Sequence, residues 1–230
     1  CKERIRLVNR GIDTNYFDIN SVSQVRKENF LRSFGVLENK HIVLLPGRLT
    51  SWKGHNVAID AAKIISEKYS NIDFVILFVG SEQGKKKYLK KLEYKIRKYN
   101  LNQKIFLLGS QSDMPSIYSL SDVVLSTSIV AEAFGRVSAE ASAMSKPVIA
   151  SNLGGSRDII EHKKTGWLIK HNEPNILAEM IVKIINKPQS EKDLIGKEAR
   201  RKIIEEFSLS QMLNKTMEVY DEVQKEYFNN

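Results

Sequence analysis

The feature that most constrains this chain is a series of short, almost wholly apolar runs separated by segments of helical period. His41–Leu45, Ile72–Val79, Lys104–Leu108, Asp122–Ser126, Pro147–Ala150 and Gly166–Ile169 read as strands. Gly54–Tyr69 instead carries apolar residues at Val57, Ile59, Ala61, Ile64 and Ile65, and Lys85–Tyr99 has Leu89, Leu92, Ile96 and Tyr99 on one face. Apolar positions three and four apart mark a helix stripe, whereas unbroken apolar runs mark strands covered on both faces. Their alternation predicts an α/β fold, a parallel sheet with crossover helices on both faces. Further helices are predicted over Ser21–Phe34, Asp113–Leu120, Gly135–Met144, Ser156–Glu161, Pro174–Asn186, Lys192–Glu206 and Leu209–Tyr227. Ile5–Val8 reads as one more short strand, and the polar stretch Asn9–Ser23 as a linker.

Composition narrows the class of function. The 230 residues are 42% apolar and 27% charged, an ordinary globular balance. Thirty-six basic against 27 acidic residues leave a net charge of +9. That excess favours anionic partners such as nucleic acid, anionic lipid or phosphorylated small molecules, without choosing among them. Cys1 is the single cysteine, so neither an intrachain disulfide nor a cysteine-rich zinc site is available. It leans the expected compartment towards the reducing cytoplasm. No run of about 18 apolar residues suggests a membrane span. His41, His55, His162 and His171 have no metal-binding spacing, and no G-x-S-x-G stretch supports a serine hydrolase. The chain opens Cys1-Lys2-Glu3-Arg4 without an initiator methionine, which reads as a piece whose N-terminal part lies elsewhere.

In an open parallel sheet, ligands bind beyond the carboxyl ends of the strands. The segments to inspect are therefore Pro46–Gly54, Gly80–Gly84, Gly109–Asp113, Thr127–Gly135 and Ser151–Ser156, all on one edge. In Gly47-Arg48-Leu49-Thr50-Ser51-Trp52-Lys53-Gly54, glycines allow close backbone approach, Arg48 offers a fork for phosphate oxygens and Lys53 a point charge. The loop suits a diphosphate, or is simply a solvated turn with two surface cations. It is not a Walker loop, because the lysine precedes the second glycine. Gly135 opens a helix directly after a strand, where unpaired N–H groups attract anions. Glu132 lies before that helix and Glu140 inside it, suited to a vicinal diol or serving as ordinary helix-terminal acids. Gly154-Gly155 permits close approach to a ligand or a tight turn. The lysines of Lys85–Lys91 alternate with apolar residues at helical spacing, the pattern of a solvated face, although the same charges suit an anionic membrane surface. Nucleic-acid signatures are absent.

Taken in order, these pieces resemble a family. Gly47-Arg48-Leu49 with Lys53-Gly54, Gly80, Ile105–Gly109, Asp113–Asp122, Glu132-Ala133-Phe134-Gly135 with Glu140, Lys146–Ala150, Gly154-Gly155 and Thr165–Leu168 look like the C-terminal half of retaining GT-B glycosyltransferases, the glycosyl transferases group 1 family. Val8–Asp13 resembles the segment that enters that half. The resemblance implies a Rossmann-like domain, residues 1–230, that binds a nucleoside-diphosphate sugar and transfers the sugar with retention of configuration. No metal or other cofactor is implied, since the nucleotide sugar is the substrate. By this resemblance Arg48, Lys53 and Glu132 act at the reacting centre, the first two on the diphosphate and the glutamate on the donor sugar. Gly47 and the backbone around Phe134, Gly135, Arg136 and Val137 contact sugar and phosphate, Glu140 binds the ribose, and Leu107, Gly109 and Met114 line the base pocket. A saccharide or lipid-linked acceptor would bind a separate N-terminal domain, with Leu209–Tyr227 crossing back to it and a peripheral contact at the inner face of the membrane. The chain alone would then hold a nucleotide without turning over. Ser145, where the family commonly has glycine, and Asp158, where glutamate is frequent, are departures. A non-catalytic module for anionic ligands or membrane surfaces is the competing reading.

Overall fold

Residues 5–33 and 39–228 are described by a computed structural model. The Cys1–Arg4 opening and the Phe34 end of the first expected helix lie outside these residues. Six strands form one parallel sheet: β1 (His41–Pro46), β2 (Phe74–Val79), β3 (Ile105–Leu107), β4 (Val123–Ser126), β5 (Val148–Ser151) and β6 (Trp167–Ile169). Their spatial order is β3-β2-β1-β4-β5-β6. The chain thus winds outward from β1 in one direction, returns to the centre, and winds outward from β4 in the other. This is the doubly wound order, and its reversal between β1 and β4 opens a crevice at the carboxyl edge.

Strands alternate with α1 (Gln24–Ser33), α2 (His55–Lys68), α3 (Lys86–Lys98), α4 (Met114–Leu120), α5 (Arg136–Ala143), α6 (Ser156–Ile159), α7 (Pro174–Ile185), α8 (Gln189–Glu206) and α9 (Leu209–Phe228). Successive strand side chains point to opposite faces. Val43 and Leu45 of β1 therefore join the cluster beneath α2, α3 and α7, while Ile42 and Leu44 join the one beneath α4, α5 and α8. Both faces are covered, which is why β2 is buried along its whole length. The apolar stripe of α3 points inward through Leu92 and Ile96, leaving Lys86, Lys87, Lys90, Lys91 and Lys98 in solvent.

Three expectations need correction. Ile5–Val8 forms no strand: Ile5 and Leu7 are 72% and 84% exposed, no described strand pairs with the segment, and Arg6 instead pairs with Glu222 of α9. Alternation alone cannot supply a ladder partner. The polar stretch at residues 9–23 is not a free linker either. Three of its apolar residues, Ile12, Phe17 and Val22, are buried, and Ile12 exchanges backbone hydrogen bonds with Phe207 and Leu209. Finally, α8 begins at Gln189 rather than Lys192, because its polar first turn has no apolar period to read. Among the described residues no helix is long and apolar enough to cross a membrane.

Candidate functional site

The crevice between β1 and β4 is walled by the loops that follow them. After β1, buried Leu49 anchors the first loop, and its N–H donates to the Ser81 carbonyl at 2.9 Å. A 3-10 turn over Ser51–Lys53 then leads into Gly54, whose φ of 84° lies in the left-handed region. A Cβ there would stand 2.1 Å from the Thr127 carbonyl oxygen, so only glycine lets the two loops meet backbone to backbone. The Ile129 N–H completes the junction by donating to the Trp52 carbonyl at 2.8 Å.

That junction brings Lys53 to Glu132. The ammonium lies 2.7 Å from the carboxylate, and the two side chains are only 11% and 17% exposed. The Ser128 hydroxyl donates to the other carboxylate oxygen. The Lys53 nitrogen sits 4.5 Å from the Trp52 ring centroid, and the Arg48 guanidinium carbon 5.8 Å from the same ring. Two cations therefore share one indole platform. Lys53 is paired with its glutamate, whereas Arg48 is exposed and, among the described residues, donates to the Gln83 amide oxygen at 3.3 Å without an ion pair. The backbone of Glu132 is fixed as well, its carbonyl accepting the Gly155 N–H at 2.8 Å. A Cβ on Gly155 would meet the Phe134 carbonyl at 2.3 Å, so the glycine pair serves loop-to-loop approach.

Glu140 lies one turn inside α5 and is 8% exposed. Each of its oxygens has a donor: Arg136 Nε at 2.7 Å and the Tyr118 hydroxyl at 2.9 Å. Tyr118 is fully buried. That burial, reinforced by the Glu140 charge, pushes its hydroxyl well above the usual range and keeps it a donor. A carboxylate oxygen has more than one lone pair, so Glu140 retains acceptor capacity for hydroxyls.

Two hollows flank Glu132. One, of about 430 Å³, lies between residues 10–17 and residues 132–136; the other, of about 390 Å³, is framed by Trp52 and Val130. The first wall is braced by Tyr16, whose hydroxyl donates to the Ser112 carbonyl at 3.0 Å.

The expected residues thus fall into groups. Gly47, Arg48 and Lys53 share the first loop, Lys53 meets Glu132, and Phe134, Gly135 and Arg136 line the first hollow with Glu132. Val137 is buried in the core, so it offers backbone only. Leu107 ends the outer strand β3, and Gly109 and Met114 follow it on the same sheet edge; none of the three lines either hollow. Trp52, Ser128 and Tyr118 received no individual role from sequence. The spacing of Ser128 four residues before Glu132 was readable, whereas the 22 residues between Tyr118 and Glu140 give no local signal. Among the described residues no three His, Cys, Asp or Glu side chains gather as a metal site.

A doubly wound sheet with cations and a carboxylate at its switch point defines an α/β domain with a ligand-type crevice. The glycosyl transferases group 1 family model matches residues 26–202. The chain belongs to that family. It is 30% identical over 95% of its length to an uncharacterized glycosyltransferase of Methanocaldococcus jannaschii, of which it covers 54%. Spore coat protein SA of Bacillus subtilis is 28% identical, with 96% of this chain and 59% of that one covered. The crystal structure of a glycosyltransferase from Rickettsia africae superposes with a TM-score of 0.91 at 33% identity, covering 98% of this chain and 59% of that one. That of Anabaena Alr3699/HepE in complex with UDP-glucose gives 0.83 at 26% identity, covering 96% and 57%. The chain therefore spans about half the length of the curated relatives it matches.

Proposed function

We propose that this chain is the donor-binding half of a retaining glycosyltransferase and holds a nucleoside-diphosphate sugar in the β1/β4 crevice. The observation that carries the reading is the junction of Lys53, Arg48 and Glu132 on the Trp52 platform. In the reaction, the bond from the sugar's anomeric carbon to the diphosphate breaks, a bond to an acceptor hydroxyl oxygen forms, and that hydroxyl's proton passes to the departing diphosphate oxygen. Negative charge leaves with the nucleoside diphosphate, and positive charge develops on the sugar carbon. Arg48 and Lys53 supply fixed cations for the first, and Glu132 supplies an anion for the second. Glu140, held by Tyr118 and Arg136, accepts the ribose hydroxyls. Leu107, Gly109 and Met114 remain the proposed base-side residues, and the acceptor binds a companion domain. The UDP-glucose complex of the Anabaena neighbour supports this donor class. The apolar stripe of α9, with Leu213, Met217 and Tyr220 all more than half exposed, suits packing against such a domain.

A thermal-shift panel of UDP-, GDP- and ADP-sugars tests the proposal. One nucleotide class is expected to raise the melting temperature selectively, because a ligand bound only to the folded state stabilises it. The shift should shrink markedly in Arg48→Ala at the same ligand concentration. A panel without any shift would reject the donor role.

A further inference from the structure

A separate cavity lies on the edge opposite the crevice. It encloses about 520 Å³ at the amino ends of β4 and β5, where Asp122 and Pro147 immediately precede the strands. The end of α4 forms one wall and α8 another, with Gln189, Lys192, Asp193, Lys197 and Arg200 facing inward at helical spacing.

The charges in this wall do not balance one another. Asp122 accepts the Ile42 N–H at 2.8 Å, and Asp193 accepts the Gln189 amide at 2.7 Å. Arg200 is spent on the Phe17 and Ala143 carbonyls and on Asp18. Lys146 donates to the Ser119 carbonyl at 2.7 Å and stays protonated only against burial, which lowers its pKa to about 8. Lys192 is different: the residue is only 7% exposed and lines the cavity, and its side chain has neither a hydrogen bond nor an ion pair among the described residues. The side chain of Lys197, five residues further along the same wall, is also unpaired among the described residues. The wall thus carries two unpaired ammonium groups, and an anion in the cavity would supply their missing countercharge. The volume lies within the range of small-molecule sites and exceeds what a bare phosphate fills. Ser119, Ser121 and Asn20 add polar groups suited to the hydroxyls of an attached polyol.

We propose that this cavity is a second ligand site, remote from the crevice, which takes the phosphate of a small soluble phosphorylated molecule on Lys192, Lys197 and Lys146. The site stands independently of the donor proposal, since the two share no residue.

The experiment is a titration of the ¹⁵N-labelled chain with inorganic phosphate at constant ionic strength, followed by amide shifts. Saturable shifts are expected in residues 119–122 and 192–197. They should survive Arg48→Ala and weaken at least tenfold in Lys192→Met, with Lys192→Arg restoring much of the affinity. Should Lys192→Met not fold, Lys197→Ala, at an exposed position, is expected to weaken the same shifts. Saturable shifts confined to residues 47–54, or shifts unchanged in Lys192→Met and Lys197→Ala, would overturn the site. So would perturbation by phosphatidic acid vesicles with none by free phosphate.

Discussion

At the scale of single residues, the proposed donor pose assigns phosphate to one group of side chains and ribose to another, and this makes it testable by ligand fragments. Arg48 and Lys53 lie on the first loop, whereas Glu140 lies in α5 with Arg136 and Tyr118 as its donors. Substituting Arg48 by alanine should weaken a nucleoside diphosphate by about 1.5–3 kcal/mol, the scale of a charged hydrogen bond. Inorganic pyrophosphate should suffer a similar loss at the crevice. Glu140→Ala should weaken the nucleoside diphosphate but spare pyrophosphate, which has no ribose. Calorimetry with both ligands decides the point, and equal losses on Glu140→Ala would remove the ribose assignment. Arg48, Lys53, Glu132 and Glu140 were legible in the sequence because each belongs to a short local motif. What was not legible was their company. Trp52 becomes a platform, and Ser128 and Tyr118 become donors, only when distant segments meet.

At the scale of elements, the end of α5 carries a strain that the sequence comparison had marked only as a departure. Ser145 adopts φ 56°, its N–H donates to the Ser142 carbonyl at 3.0 Å, and the Lys146 N–H donates to the Ala141 carbonyl at 2.9 Å. This pair of bonds is the Schellman cap, whose left-handed residue is normally glycine. A non-glycine residue there costs roughly 1–2 kcal/mol, against roughly 0.5–1 kcal/mol of extra chain entropy for glycine. Ser145→Gly is therefore expected to stabilise the fold by about 0.5–1 kcal/mol. A rise of a few degrees in melting temperature would bear this out, and a fall would show that the serine hydroxyl matters more than its backbone. The helices and sheet strands were readable from their periods, with errors of a few residues at the ends. Residues 5–8 misled because an apolar alternation says nothing about whether another strand lies alongside. Residues 9–23 misled in the opposite sense: three apolar side chains in a polar stretch suffice to pin it across α8.

At the scale of the whole molecule, the loop junction that builds the crevice also ties stability to pH. His55 opens α2 directly behind Lys53-Gly54 and is fully buried, edge-on to Phe78 at 4.9 Å. Among the described residues neither ring nitrogen has a hydrogen-bond partner, and the Thr50 and Thr127 hydroxyls beside the same junction are likewise unpaired. Burial lowers the imidazole pKa from 6.5 to about 4, the nearby Thr50 backbone opposing this only in part and the Lys53 charge adding to it. The folded chain therefore keeps His55 neutral between these values while the unfolded chain takes up a proton. Stability is fully present above about pH 6.5 and drains as the pH falls towards 4, where the folded state begins to protonate as well. At pH 5 the loss amounts to about 2 kcal/mol, a substantial share of the roughly 5–15 kcal/mol that holds a domain together. Urea midpoints at pH 7.5 and pH 5 should thus diverge strongly in the natural chain. They should diverge less, by about that amount, in His55→Leu, which has no proton to bind. Parallel pH dependence in both proteins would mean that the ring is not held neutral. A smaller divergence in the variant would place part of the molecule's acid sensitivity at the glycine turn that joins the two walls of the crevice, so that nucleotide binding there should oppose acid unfolding.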